Sequence, residues 1–169
     1  ARLAACVATC RGQVLEVNRI LDDAGRTLLA GDRGLRIREC RDSRGTPAGA
    51  VLTYKGPKEP GPLKRREEIE LTIDDPAAAG ALLAALGFRE ALGFEKRRET
   101  WALGDCLVEL DELPYLGAFV EIEGPDEEAI QKALARLGVS GEPLIHATYI
   151  ALLVRHCEQN NLSVERIRF

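Results

Sequence analysis

The most regular feature of this chain is an alternation of apolar and polar residues with a period of two, which is typical of strands that turn one face toward a core. Residues 117–124 show it best, because Val120 and Ile122 share one face while Phe119, Glu121 and Glu123 share the other. Further strands are predicted over residues 13–21, 34–40, 50–56, 66–73, 94–101 and 107–111. The chain is therefore expected to consist largely of strands.

Helices are predicted where capping residues interrupt this alternation. Asp74 and Asp75 can cap free amide groups, and Pro76 suits the first turn of a helix. The predicted helices cover residues 74–87, 124–138 and 146–159, and residues 1–10 form the predicted tail of another helix that Gly12 ends. The segments EIELTIDDP and FVEIEGPDE each precede a helix and are alike, which favours an internal duplication.

These patterns predict an α+β protein of antiparallel strands with helices packed outside, as a single domain over residues 1–169. The apolar strand faces would meet the helices. The polar strand faces would either be exposed to solvent or line the inside of a closed barrel.

The polar strand faces are almost entirely ionic, whereas exposed strand faces usually mix charges with Thr, Ser and Gln. The basic residues are Arg36, Arg38, Lys55, Arg66, Lys96 and Arg98, and the acidic residues are Glu68, Glu70, Glu109, Asp111, Glu121 and Glu123. A solvated sheet face explains any one strand, but it explains the complete set less well. A polyphosphate with divalent cations satisfies both signs of charge, because Arg and Lys hold phosphate oxygens and carboxylates hold Mg²⁺ or Mn²⁺.

Composition and net charge argue against several classes of function. The 169 residues are 46% hydrophobic and 30% charged, and a net charge of -4 gives no reason to expect a nucleic-acid partner. The apolar runs are too short to span a bilayer. Five cysteines without a C-x-x-C pair predict a reduced, cytoplasmic protein. The absence of methionine, even at residue 1, predicts a trimmed chain or one with small gaps.

Six short motifs stand in order along the chain: Gly34-Leu35-Arg36-Ile37-Arg38, Thr53-Tyr54-Lys55-Gly56-Pro57, Arg66-Glu67-Glu68-Ile69-Glu70, Lys96-Arg97-Arg98, Glu109-Leu110-Asp111 and Phe119-Val120-Glu121-Ile122-Glu123. Together they resemble the CYTH domain, the triphosphate tunnel metalloenzyme family that includes class IV adenylate cyclases and thiamine triphosphatases. The resemblance runs from about Gln13 to Leu153, and residues 110–123 are most similar to the cyclase-like branch. It implies an eight-stranded antiparallel, tunnel-like β-barrel that binds a triphosphate inside.

The resemblance also implies roles for individual residues, although it assigns no catalytic residue. Phosphates would be bound by Arg36, Arg38, Lys55, Arg66, Lys96 and Arg98. Mg²⁺ or Mn²⁺ would be held by Asp111, Glu121 and Glu123, with Glu68, Glu70 and Glu109 in support. The family opens with a Glu-x-Glu-x-Lys strand that supplies metal ligands and a catalytic lysine, and no such motif precedes Gln13. We therefore expect the first strand and part of the first helix to be absent from this chain.

Two classes of function follow from the resemblance. The first is an enzyme that cyclises ATP to cyclic AMP and pyrophosphate, or that hydrolyses an inorganic or thiamine-type triphosphate. The second is a module that binds polyphosphate or nucleotide without turnover, because the opening strand is missing. Cyclisation is favoured by the similarity of residues 110–123 to the cyclase-like branch. No membrane or nucleic-acid partner is expected, and a homodimer remains an open alternative.

Overall fold

The computed structural model describes residue 3, residues 6–61 and residues 65–169 of the chain. The strands in this part are β1 (Thr9–Asp22), β2 (Gly34–Arg41), β3 (Pro47–Lys55), β4 (Glu68–Thr72), β5 (Arg89–Leu103), β6 (Cys106–Leu113), β7 (Gly117–Glu123) and β8 (Arg166–Ile167). The helices are α1 (Thr27–Ala30), α2 (Pro76–Ala85), α3 (Glu127–Leu137) and α4 (Tyr149–Gln159). No described helix combines the length and the apolar character needed to cross a membrane.

The eight described strands belong to one sheet, in the order β4-β3-β2-β1-β5-β6-β7, with β8 paired to β5. Neighbours along that path are antiparallel, whereas β8 runs parallel to β5 beside Gly93 and Phe94. The predicted α+β architecture with an eight-stranded sheet is therefore confirmed. Within the described residues, β4 and β7 form the two edges and do not pair with each other, so the sheet is not closed into a barrel.

The first strand begins earlier than the sequence pattern predicts. Thr9 already pairs with Ala102 of β5, so the predicted helix tail is wrong at this position. Gly12 does not end a helix, because it lies inside β1 at a register shift with a φ of 140°. Residues 1, 2, 4 and 5 of the predicted tail lie outside the described residues. The long partner strand β5 supplies the hydrogen bonds that the local sequence does not reveal.

The three longer helices begin at side chains that accept hydrogen bonds from their first amide groups. Asp75 accepts from the N–H groups of Ala77 and Ala78, each at 2.9 Å, so α2 starts as predicted. Asp126 caps α3 in the same way. Thr148 caps α4, which therefore begins later than the predicted start at residue 146.

Two short elements, α1 and β8, were not predicted. Asp22 accepts hydrogen bonds from the N–H groups of Leu28 and Leu29, both at 3.1 Å, and so satisfies amide groups in the first turn of α1. Strand β8 approaches β5 closely, because the Gly93 N–H donates to the Glu165 carbonyl at 2.9 Å. A Cβ atom at Gly93 would lie 3.1 Å from that oxygen. The contact between Gly93 and Glu165 joins residues that are far apart in the sequence.

Helices α2 and α3 pack on the apolar side of the sheet. In α2, Leu83 joins a buried cluster with Leu21 and Ile37. In α3, Leu137 joins a buried cluster with Val108. These two helices confirm that apolar strand faces meet helices.

Helix α4 lies against the opposite side of the sheet. Its Leu153 and Cys157 pack with Phe94 and Leu113. Phe94 lies two residues before Lys96 in β5, so both side chains are on the same face. The helix therefore covers one end of the face that carries the charged residues, whereas the sequence placed every helix on the apolar side.

Candidate functional site

Strand register places most of the predicted charged residues on one side of the sheet, called here the charged face. Residues directly opposite each other in antiparallel strands point to the same side. Glu16 lies opposite Lys96, and Arg98 lies opposite Asp111, so β1, β5 and β6 contribute to the same face. The charged face also carries Asn18, Arg36, Arg38, Thr53, Lys55, Glu68, Glu70, Glu109, Glu121 and Glu123.

Arg98 lies at the centre of the charged face. Its Nε and Nη2 donate to the two carboxylate oxygens of Asp111, each at 2.7 Å, and Nη2 also donates to Glu121 at 2.9 Å. Its Nη1 pairs with Glu109, and Glu16 lies 3.7 Å from Nε. Burial alone would lower the pKa of Arg98, but its hydrogen bonds to Asp111 and the surrounding carboxylates outweigh burial, so the pKa is raised. The guanidinium therefore stays charged and contacts four carboxylates.

Lys96 and Glu16 form a second buried ion pair beside Arg98. The Lys96 Nζ lies 3.3 Å from Glu16 and 3.2 Å from Asp111, and both members of the pair are at most 3% exposed. Burial lowers the pKa of Lys96. Burial would raise the pKa of Glu16, but the positive charges of Lys96 and Arg38 outweigh it and the pKa is lowered. Each charge of the pair therefore depends on a buried partner of opposite sign.

Three carboxylates of the charged face lie close enough together to hold one cation. Glu109, Asp111 and Glu121 each offer an oxygen within 4.8 Å of the others. Burial raises the pKa of Glu109 to about 7, in spite of the nearby positive charge of Arg98. Carboxylate oxygens are ligands that Mg²⁺ and Mn²⁺ prefer, so these three side chains fit a divalent cation. In the free protein, Arg98 contacts the same three carboxylates. Glu123 is exposed and lies outside this group.

Strands β2, β3 and β4 carry a more open set of polar contacts on the same face. Arg36 Nη2 donates to the hydroxyl of Thr53 at 3.3 Å, and that hydroxyl donates to Glu70 at 2.9 Å. Lys55 pairs with Glu68 at 2.7 Å, and both side chains are partly exposed. Burial lowers the pKa of Arg36 to about 10, which leaves the group charged at neutral pH.

Arg66 is another predicted site residue that the structure places outside these contacts. It precedes β4, which begins at Glu68, and its Nη2 lies 3.6 Å from Asp32 in the segment before β2. Lys58 also pairs with Asp32, at 2.9 Å. The predicted strand over residues 66–73 was too long at its start, because pairing with β3 begins only at Glu68 opposite Lys55.

Two buried residues of β1 belong to the charged face but were not assigned to it from the sequence. Glu16 is 2% exposed and Asn18 is 1% exposed. Arg38, a predicted site residue, contacts both of them, with Nη1 3.3 Å from Glu16 and Nε donating to Asn18 Oδ1 at 3.3 Å. The alternation of Glu16 and Asn18 with Val17 was a signal that could have identified them.

Tyr149 of α4 is a further site residue that the sequence did not indicate. Its ring centroid lies 5.5 Å from Lys96 Nζ, and its ring packs edge-on against Phe119 with centroids 5.3 Å apart. Burial raises the pKa of Tyr149, and the charge of Asp111 and a hydrogen bond to it add to the effect. The position of this residue depends on how α4 docks, so strand alternation could not reveal it.

A family model for the CYTH domain matches residues 11–149. The protein named "Putative adenylate cyclase MJ0240" of Methanocaldococcus jannaschii is 31% identical over 130 residues, covering 72% of this chain and 71% of that protein. Adenylate cyclase CyaB of Aeromonas hydrophila is 31% identical over 163 residues, covering 90% of this chain and 78% of that protein.

Solved structures share the fold. The PH1819 protein from Pyrococcus horikoshii superposes with a TM-score of 0.79 at 30% identity, covering 92% of this chain and 91% of that one. HpAC1 from Hippeastrum superposes with a TM-score of 0.65 at 22% identity, covering 91% and 85%. HpAC1 is described as a candidate adenylyl cyclase with a dominant triphosphatase activity. At 22% identity this second likeness concerns the fold alone.

Proposed function

The chain belongs to the CYTH domain family, and on that basis we propose that it is a metal-dependent enzyme that acts on a triphosphate bound at the charged face. The favoured reaction is the cyclisation of ATP to cyclic AMP and pyrophosphate. The observation that carries the proposal is the burial of Lys96, Arg98 and Asp111 on one strand face. A sheet face that only met solvent would leave such side chains exposed.

The charge balance of this face narrows the choice of ligand. The residues named above on this face include five basic side chains and seven carboxylates. A phosphate chain alone would be repelled by the excess of carboxylates, whereas cations alone would leave the basic groups without a ligand. A triphosphate that binds together with a divalent cation engages both sets.

The proposed roles follow the sequence prediction with one exchange. Glu109 replaces Glu123 among the cation ligands, because Glu109 lies together with Asp111 and Glu121 whereas Glu123 is exposed. Phosphate oxygens would be bound by Arg36, Arg38, Lys55, Lys96 and Arg98, with Arg66 at the margin. Mg²⁺ or Mn²⁺ would be held by Glu109, Asp111 and Glu121, with Glu68, Glu70 and Glu123 in support. When bound, the cation would neutralise phosphate charge and polarise a phosphoryl oxygen. Tyr149 would close the end of the face that α4 covers.

Arg98 should affect the binding of both ligands, the divalent cation and the triphosphate. In the free protein it contacts Glu109, Asp111 and Glu121, which are the same carboxylates that a cation would use. A phosphate group would offer the guanidinium a new partner when the cation takes its place. We therefore expect the cation and the triphosphate to increase each other's affinity.

Two reactions are compatible with such a site, and both depend on positioning and charge neutralisation. In cyclisation, the ribose 3′-oxygen bonds to the α-phosphorus, the bond from that phosphorus to the bridging oxygen of the β-phosphate breaks, and the hydroxyl proton is released. In hydrolysis, a water oxygen bonds to the terminal phosphorus, the bond from that phosphorus to its bridging oxygen breaks and the water gives up a proton. The diphosphate part of the substrate is the leaving group, and the attacked phosphorus becomes orthophosphate. The names of the two curated relatives support cyclisation. The description of HpAC1 supports hydrolysis as the second candidate.

Product analysis decides between these functions. The protein is incubated with ATP or tripolyphosphate and Mn²⁺, and the products are separated by chromatography. Cyclic AMP with pyrophosphate supports the proposal, whereas orthophosphate without cyclic nucleotide favours the triphosphatase. If neither substrate gives a product, the remaining hypothesis is a module that binds polyphosphate or nucleotide without turnover.

Paired variants connect the activity to the charged face. Lys96→Gln should lower the rate about 100-fold, because it removes a buried positive charge from the site. Arg97→Gln is the matched control, since Arg97 is 48% exposed and pairs with Glu112 on the opposite face. Equal losses in the two variants would contradict the proposed location of the site.

A further inference from the structure

Asn18 carries a buried amide group that has no partner for one of its atoms. The residue is 1% exposed, and its Oδ1 accepts a hydrogen bond from Arg38 Nε at 3.3 Å. A guanidinium only donates hydrogen bonds, so the amide oxygen must be the atom that faces Arg38. The Nδ2 group is buried as well, and it has no hydrogen-bond partner among the described residues.

A second buried donor without a partner lies next to Asn18 on the charged face. Arg36 of β2 is opposite Ile20 of β1, whereas Asn18 is opposite Arg38, so Asn18 and Arg36 occupy diagonal positions on neighbouring strands. The Nη2 of Arg36 is held by Thr53 at 3.3 Å, but its Nε has no partner within the described chain. Two buried donors without partners in the described part of the chain therefore occupy diagonal positions on the same face.

Buried polar groups in proteins are nearly always hydrogen-bonded, so a pair of free donors calls for an acceptor. The Glu16 carboxylate, also on β1, is paired with other cations, because its Oε1 lies 3.3 Å from Arg38 Nη1 and its Oε2 lies 3.3 Å from Lys96 Nζ. Its Oε2 accepts no hydrogen bond from any described residue, but it does not reach Asn18 Nδ2 or Arg36 Nε either. A neutral amide and a guanidinium side by side suit an anion that accepts several hydrogen bonds, and phosphate oxygens do so.

We propose that Asn18 is a phosphate-binding residue, whose Nδ2 donates to a non-bridging phosphate oxygen of the triphosphate beside Arg36 Nε. This inference rests on the proposed function, because it assigns Asn18 to the same ligand. It extends the phosphate site from the charged side chains to a neutral one on β1. Arg38 orients the amide by holding its oxygen.

Binding of tripolyphosphate to the Asn18 variants, with Mn²⁺ present, tests this assignment. In Asn18→Asp the carboxylate can still accept from Arg38, but it cannot donate to phosphate and it adds a negative charge. Its dissociation constant for tripolyphosphate, measured by calorimetry, should rise by about tenfold or more, while the Tm of the free protein should not fall. Asn18→Ala removes the donor without adding charge, so it should also weaken binding and it provides a second variant if the Asp variant does not fold.

Asn161→Asp provides the matched control. Asn161 is exposed at a positive φ of 54°, where Asn and Asp are both tolerated, so the same change of charge should leave binding unaltered. If the wild type binds tripolyphosphate and both Asn18 variants bind it equally well, the inference is wrong while the proposed function stands. If the folded wild type binds no tripolyphosphate, both are wrong.

Discussion

Arg98 holds Asp111 through two hydrogen bonds of 2.7 Å each, between directly opposed positions of β5 and β6. A two-point contact of this kind fixes the orientation of both side chains. The same guanidinium also pairs with Glu109 and Glu121, so it is the counterion of all three carboxylates that could hold a cation. The stability of the free protein and its affinity for cations therefore depend on one side chain.

Arg98→Gln should destabilise the free protein by about 3–5 kcal/mol, because it leaves buried carboxylates without their positive partner. It should also enlarge the stabilisation that Mn²⁺ provides, since Glu109, Asp111 and Glu121 would no longer be occupied by the guanidinium. Urea unfolding with and without Mn²⁺ measures both effects. Arg97→Gln should change the free energy of unfolding by only about 0.5 kcal/mol, because its pair with Glu112 is exposed. Wild-type stability in Arg98→Gln would contradict the central role of Arg98.

Glu109 should make the stability of the free protein fall as the pH rises. Burial raises its pKa from 4.5 to about 7, so between these values the folded protein holds a proton that the unfolded chain has released. The free energy of unfolding due to this group therefore decreases with rising pH across that window. Asp111 acts in the opposite sense and only in more acidic solution, because the hydrogen bonds and charge of Arg98 overcome burial and lower its pKa below 3.8.

Glu109→Gln should flatten this dependence, because the amide cannot titrate. Urea unfolding at about pH 5, 6 and 7 measures the slope, which the wild type should show and the variant should lose. Glu112→Gln is the control, since Glu112 lies on the opposite face and is 51% exposed. A slope that is the same in the wild type and in Glu109→Gln would rule out Glu109 as its source.

Tyr149 should stabilise the folded protein through both its ring and its hydroxyl group. Tyr149→Phe keeps the ring beside Lys96 and Phe119 but removes the hydrogen bond to Asp111, so we expect a loss of about 1 kcal/mol. Tyr149→Ala should cost more, about 3 kcal/mol, because it also opens the packing between α4 and the charged face. Thermal unfolding compares the two variants, with the exposed Tyr115→Phe as control. Equal losses in the Phe and Ala variants would assign the whole effect to the hydroxyl.

The strands were predicted from the sequence because alternation is a local signal. Residues 34–40 and 107–111 alternate clearly, and both lie inside observed strands. The start of β1 was missed because Thr9 and Cys10 become strand only through pairing with β5, which lies far away in the chain. The side of the sheet that α4 covers was also missed, since an amphipathic helix does not specify which face of a sheet it meets.

The charged face was predictable in part, because alternation decides which residues of one strand share a side. The order of the strands in the sheet decides which residues of different strands become neighbours. This order depends on pairing between distant segments of the chain. The contact of Lys96 with Glu16 therefore could not be predicted from either strand alone. The same limit applies to Asn18, whose importance depends on its position opposite Arg38 and on its burial.

The central claim is that the charged face binds a triphosphate together with a divalent cation. Calorimetric titration of tripolyphosphate into the protein, with and without Mn²⁺, tests it most directly. We predict binding that is at least about tenfold tighter with Mn²⁺, is lost in Lys96→Gln and is retained in Arg97→Gln. A folded wild-type protein that binds no tripolyphosphate, either with or without Mn²⁺, would contradict the claim.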